Sequence, residues 1–223
     1  RLGIAGGEWK KMMADATART RFASEVKKII EQYEFDGVDF DFEWPANASE
    51  YNNYSATVIQ MRSTLGKYVY FTASLHPVSF KISPEAIDAL DFISYQCYGP
   101  AVMRFPYEQF VKDGEAAVAY GIPKNKLVMG VPFYGSTGSL IAAYCDFVND
   151  GLATTNEDTY TYKGNTYTFN SIETIRKKAR YVCEEDYAGI MSWDLATDID
   201  ITNNKSLLKV IKEEFEYYAN PTE

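Results

Sequence analysis

The segment Asp36-Gly37-Val38-Asp39-Phe40-Asp41-Phe42-Glu43 constrains the fold more than any other part of this chain. In an extended strand, side chains two residues apart share a face, so Asp39, Asp41 and Glu43 point one way while Val38, Phe40 and Phe42 point the other. The strand is acidic on one side and apolar on the other. Neighbouring carboxyls in such a row stand roughly 6–7 Å apart, from a rise of about 3.3 Å per residue. Like-charge repulsion and desolvation raise at least one pKa, so the row shares a proton and one member can stay an acid near neutral pH. Three aligned acids could instead bind a cation or lie on a solvated edge, but burying them on a central strand without a use is costly.

Around this segment, short β-rich runs alternate with amphipathic helical stretches, the pattern of repeated βα units around a parallel sheet. Strands are expected at Leu2–Ala5, Gly37–Glu43, Tyr68–Leu75, Phe92–Tyr98, Leu127–Phe133 and Gly189–Asp194. Helices are expected at Arg19–Tyr33, Glu50–Leu65, Pro84–Leu90, Tyr107–Tyr120, Ile172–Glu184 and Lys205–Tyr217. In the first of these helices Phe22, Val26, Ile29, Ile30 and Tyr33 recur at steps of three and four, which turns one face inward. Residues 135–170, rich in Gly, Thr, Asn and Tyr, read either as a substrate-facing loop with a small hairpin around Lys163-Gly164-Asn165 or as a plain surface excursion. The units together imply an α/β fold. In a (β/α)8 TIM barrel the acidic row would climb the interior to the C-terminal mouth and leave Glu43 at the rim.

Composition narrows the chemistry. The 223 residues, 46% hydrophobic and 24% charged, suit one domain over 1–223 with a sizeable core. A formal charge of −9 weighs against a nucleic-acid partner, which needs clustered Lys and Arg. Aromatic residues reach 15%, with 18 Tyr, and such rings serve both packing and stacking on sugar faces. No stretch approaches the ~20 apolar residues that span a bilayer as a helix. Cys97, Cys145 and Cys183 are widely spaced and form no metal-ligand cluster, so free thiols are expected, with no metal and no cofactor. His76, the only histidine, leaves no mechanism that needs a His pair.

The acidic run matches the DGxDxDxE signature of the family 18 glycoside hydrolases, the chitinase family, and the resemblance continues in order along the chain. Ile4-Ala5-Gly6-Gly7 looks like the family's SxGG turn on the third barrel strand, and Asp91–Tyr98 resembles the sixth-strand segment. Gly130-Val131-Pro132-Phe133-Tyr134-Gly135 is similar to the seventh-strand GxPFYG, and Gly189–Asp194 to the eighth-strand GxMxW. These matches label the units as third to eighth. The first two βα units are then expected to be missing from this chain, with about 60 or more residues ahead of Arg1 at about 30 residues per unit.

The resemblance implies roles residue by residue. Glu43 would protonate the leaving glycosidic oxygen, while the substrate's own 2-acetamido carbonyl acts as nucleophile, outside the usual two-carboxylate scheme. Asp41 would orient the acetamido N–H, with Asp39 beneath it as proton partner, and Tyr98 would bind the acetamido group. Trp193 would form the floor under the sugar, and Tyr134, Gln96, Gly6 and Gly7 join the substrate-binding set. Trp44 and Trp9 would either line flanking subsites or cap the barrel, and His76 reads as a loop residue. Gly99, Gln96 and Ser136 depart from the aspartate, methionine and arginine usual in the family at those places. Together with a short region between the last two strands, they point to a shallower cleft. The implied substrate is a β-1,4-linked N-acetylglucosamine polymer, met outside the cytoplasm, in the extracellular space, the periplasm or at the cell surface. The alternatives are the di-N-acetylchitobiose core of N-glycans and a chitin-binding lectin.

Overall fold

A computed structural model describes residues 6–99, 101–152 and 156–220, so the strand expected at Leu2–Ala5 lies outside the described residues. The chain divides into two compact units, the first holding the residues up to Tyr95 with Ala117–Lys126, the second Gln96–Ala116 with the residues from Leu127 on.

The first unit runs α1 (Gly6–Ala14), α2 (Ala16–Tyr33), β1 (Gly37–Asp41), α3 (Ala48–Leu65), β2 (Tyr70–Leu75), α4 (Pro84–Ala89) and β3 (Ile93–Tyr95). Three caps explain where its helices start. Asp15 accepts from the Ala18 amide, Asn47 from Glu50 and Ser83 from Ala86, each satisfying a donor that the first turn leaves open. These caps put α2 and α3 two or three residues ahead of the expected starts at Arg19 and Glu50. Helix α1, where a turn was expected, places Gly6 and Gly7 in its first turn.

Strands β1 and β2 pair in parallel from Gly37↔Tyr70 to Asp41↔Ser74, and β2 pairs with β3 in the same sense. Only glycine fits at the start of β1: a Cβ on Gly37 would stand 2.1 Å from the Tyr70 carbonyl oxygen. The expected alternation is present. Phe40 and Phe42 are buried while Asp39 is exposed and Asp41 half-buried. Phe40 lies among Trp9, Tyr54 and Phe22, with ring centroids at 5.2, 5.1 and 6.2 Å. The strand is shorter than expected, so Glu43 stands two residues past its last ladder position.

The second unit holds most of α5 (Tyr107–Tyr120), then β4 (Leu127–Pro132), β5 (Tyr134–Ser136), β6 (Ile141–Ala143), α6 (Tyr144–Asn149), β7 (Thr159–Tyr162), β8 (Asn165–Thr168), α7 (Ile172–Glu184), β9 (Gly189–Trp193) and α8 (Leu207–Ala219). Strands β4 and β9 pair in parallel from Val128↔Gly189 to Pro132↔Trp193. Much of the region expected to be irregular is a four-stranded antiparallel sheet in the order β6-β5-β8-β7. Its hairpin turns at Lys163 and Gly164, both at positive φ (47° and 79°), the conformation a two-residue turn demands. Phe147 of α6 anchors it, with the rings of Tyr160, Tyr162, Tyr167 and Phe169 within 5.4–5.7 Å. Arg176 and Arg180 of α7 clasp the buried Glu214 of α8 at 2.7 and 2.8 Å. All three cysteines are free thiols, as their spacing implies. No helix among the described residues is long and apolar enough to cross a membrane.

Candidate active site

The acidic row is built by β1 and steadied by β2. The Thr72 hydroxyl donates to Asp39 Oδ1 at 2.6 Å and the Ser74 hydroxyl to Asp39 Oδ2 at 3.1 Å. Neither hydroxyl stands out in the sequence, because each lies more than thirty residues from its partner. Behind the row, the fully buried Tyr54 gives its hydroxyl to the Phe40 carbonyl at 3.4 Å. Burial, and then the charges of Asp39 and Asp41, push its phenol well above the usual range, so it stays neutral. Asp39 and Asp41 also border a cavity of about 360 Å³ whose other walls include Trp9, Phe22, Ile30 and Met61.

Glu43 is exposed and is followed by Trp44 through a cis peptide. The Trp44 ring lies against His76 with centroids 4.7 Å apart. His76 lies just past β2, as expected of a loop residue, but its side chain is buried, and its Nδ1 accepts the Val78 amide at 3.2 Å. Trp9 is 6% exposed, packed among the aromatic rings of Phe22, Phe40 and Phe42. Among the described residues no group of three His, Cys, Asp or Glu side chains is placed to hold a metal ion.

The second unit carries the remaining candidates. Strand β3 ends at Tyr95, so Gln96 and Tyr98 lie past it, not on it as expected, and both are buried. Tyr98, Phe105 and Tyr134 form an aromatic cluster with Met191 against it. Tyr134 meets both other rings edge-on, at 6.4 and 5.5 Å. The Tyr98 hydroxyl reaches Met191 Sδ at 3.5 Å, and the Tyr134 hydroxyl donates to the Gly99 carbonyl at 3.2 Å. Burial pushes the Tyr134 phenol up to about 12, which keeps it a neutral donor. Trp193 ends β9 with 43% of its surface exposed, and the Trp193–Asp194 peptide is cis.

A buried polar group supports this cluster. Lys178 Nζ and Asn170 Nδ2 both donate to the Phe105 carbonyl, at 2.7 and 2.8 Å, and Lys178 also donates to Asn170 Oδ1 at 2.7 Å. Sequence reasoning missed it, since a lysine on an amphipathic helix reads as solvated.

The model of the family described as glycosyl hydrolases family 18 matches residues 2–198. A probable chitinase of Drosophila melanogaster is 22% identical over 97% of this chain and 60% of its own length. A class V chitinase of Arabidopsis thaliana is 24% identical over 88% of this chain and 69% of its own. The chain thus spans about two thirds or less of these relatives. Among solved structures, a GH18 chitinase from the chitin utilization locus of Flavobacterium johnsoniae superposes with a TM-score of 0.80 at 27% identity, covering 96% of this chain and 72% of that one. A chitinase from Bacteroides thetaiotaomicron gives 0.80 at 25% identity, over 94% and 73%. These neighbours are (β/α)8 barrel catalytic domains, and the chain shares their fold class. By its family match over most of its length, the chain belongs to glycosyl hydrolases family 18.

Proposed function

We propose that the protein hydrolyses β-1,4-linked N-acetylglucosamine polymers, chitin or its oligosaccharides, with Glu43 as the general acid. The observation that carries the reading is the acidic face of β1, whose opposite face is aromatic core. Asp39 and Asp41 share that face, and the exposed Glu43 follows two residues on. Asp41, the last residue of β1, lies only two residues before Glu43, too near to attack from the far side of the sugar, which favours the substrate's own acetamide as nucleophile.

In the first step the acetamido carbonyl oxygen bonds to C1, the glycosidic C–O bond breaks, and Glu43 passes its proton to the leaving oxygen. The product is an oxazolinium ion. Asp41 accepts the acetamido N–H, and that bond strengthens as positive charge develops. Glu43, now a carboxylate, takes a proton from water as the water attacks C1, which restores the acetamide with configuration retained. Tyr98 supplies a hydroxyl that steadies the acetamide before attack, a proximity effect. Trp193 offers an open indole face to the sugar's apolar side, with Tyr134, Gln96 and Trp44 as further contacts. Family membership and the chitinases among the relatives support this reading. A polymeric substrate of this kind places the activity outside the cytoplasm.

The test is cleavage of chitotetraose by the protein expressed from its complete gene, set against Glu43→Gln. Loss of the acid is expected to lower kcat by about 10³-fold. Undiminished cleavage by the variant would refute the role. A cut in a high-mannose glycoprotein, with none in chitotetraose, would move the substrate to the N-glycan core.

A further inference from the structure

We infer that Lys178 and Asn170 are positioning residues for Tyr98: buried behind the aromatic cluster, they fix the Phe105 carbonyl, and through the Phe105 and Tyr134 rings they hold the Tyr98 hydroxyl where it meets the acetamide. The inference rests on the reading of Tyr98 as the residue that steadies that group.

The three polar groups close on one another. Lys178 Nζ and Asn170 Nδ2 donate to the Phe105 carbonyl at 2.7 and 2.8 Å, and Lys178 Nζ also donates to Asn170 Oδ1 at 2.7 Å. A carbonyl oxygen has two lone pairs, so both acceptor positions of Phe105 are filled. Its amide is held as well, donating to the Val102 carbonyl at 3.0 Å, and the preceding side chain, Arg104, is tied to Asp113 at 2.7 Å. Turning the backbone at Phe105 would break several of these bonds at once. Lys178 and Phe105 are wholly buried and Asn170 is 1% exposed, so water does not take the place of a lost partner. Asn170 alone already gives the carbonyl a donor. Stability does not call for a buried amine in addition, since its desolvation is costly; what the second donor adds is a fixed direction.

A fixed backbone at Phe105 places its ring, which meets Tyr134 edge-on at 5.5 Å and an interplanar angle of 84°. Tyr134 reaches Tyr98 by two routes. Its ring meets the Tyr98 ring edge-on at 6.4 Å, and its hydroxyl donates to the carbonyl of Gly99, the next residue in the chain, at 3.2 Å. The ring of Tyr98 and the backbone that follows it thus both answer to Phe105. A hydroxyl that aligns an acetamide for attack loses much of its effect when it is displaced by a fraction of an ångström.

The experiment assays the protein expressed from its complete gene on chitotetraose, as wild type, Lys178→Met and Lys178→Gln, under conditions where urea unfolding shows all three fully folded. Methionine removes the donor, whereas glutamine keeps one for the Phe105 carbonyl. Lys178→Met is expected to lower kcat about tenfold with KM within about twofold, because a misplaced Tyr98 harms alignment for attack more than binding. Lys178→Gln is expected to keep kcat within about threefold of wild type. A second readout needs no activity: with 3-fluorotyrosine incorporated, the ¹⁹F resonance of Tyr98, assigned through Tyr98→Phe, should shift in Lys178→Met and hold its place in Lys178→Gln. Equal falls in kcat in the two variants, or a Tyr98 resonance that stays in place in Lys178→Met, would overturn the inference and leave Lys178 a structural residue. Should Lys178→Met fail to fold, Phe105→Leu takes its place. It keeps the carbonyl and its donors but removes the ring, so it should displace the Tyr98 resonance and lower kcat to a similar degree; an unmoved resonance there overturns the inference as well. If wild type cleaved no N-acetylglucosamine substrate while the Tyr98 resonance still moved, the acetamide reading would fall and the placement of Tyr98 by Lys178 would stand.

Discussion

Lys178 makes the stability of the protein depend on pH in a window where few other groups titrate. The side chain is fully buried, shares its donors between two oxygens at 2.7 Å, and lies over the Phe110 ring at 4.9 Å. Burial pulls its amine down from 10.5 to about 7, against the opposing influence of Cys97, Asp158 and Asp113. An unfolded lysine keeps its proton to about pH 10. Above pH 7 the unfolded chain thus binds more protons than the native one, so stability rises with pH; below pH 7 both are protonated and this contribution is flat. Integrated from pH 7 to 8.5, the gain is ~1.6 kcal/mol. Above that window Cys97 works the other way. Burial raises its thiol pKa, so the unfolded chain loses that proton first and stability drains with rising pH. The assay is urea unfolding at half-unit steps between pH 7 and 8.5 for wild type, Lys178→Gln and Lys178→Met. Gln keeps a donor for the Phe105 carbonyl, and neither replacement titrates. Wild type should gain ~1.6 kcal/mol more than either variant across the window; equal slopes in all three would refute the reasoning.

Two further perturbations separate core from surface. Phe40→Ala removes a ring 2% exposed and ringed by Trp9, Tyr54 and Phe22, and should cost ~3–5 kcal/mol in chemical denaturation; a loss below ~1 kcal/mol would contradict that packing. Trp193→Ala removes an indole with 43% of its surface open, so the unfolding midpoint should hardly change while KM for chitotetraose rises about tenfold. An unchanged KM would remove Trp193 from the binding surface.

The sequence carried the acidic strand plainly, because alternation of acid and aromatic side chains is a period-two signal that no helix reproduces. Phe40, Phe42 and Asp39 lie on the sides it assigns them. Ends were less legible. Asp15 and Asn47 start their helices before the apolar periodicity begins, and β1 and β3 stop where ladder pairing stops, short of the β-rich residues that follow. Helix α1 opens on two glycines, the residue pair that most resembles a turn and least resembles a helix. Of the sheet β5–β8, only the hairpin around Lys163-Gly164-Asn165 is legible in the sequence, from its turn residues; the rest reads as a polar, Tyr-rich stretch, since its order comes from rings gathered around Phe147. The grip on Asp39 and the burial of Lys178 are tertiary pairings between distant positions, which no local pattern encodes.

The strand that carries the acids is also the strand that fills the first unit's core, and one alternation serves both. Single substitutions on either face therefore have graded, local effects, but a one-residue deletion or insertion between Gly37 and Glu43 does not. It would turn the remaining carboxyls into the aromatic core and the phenylalanines out into the site, losing stability and chemistry in a single event. Length variation in this protein is thus excluded from β1 and left to its turns, where the Lys163-Gly164 tip can change without altering which way any strand residue faces.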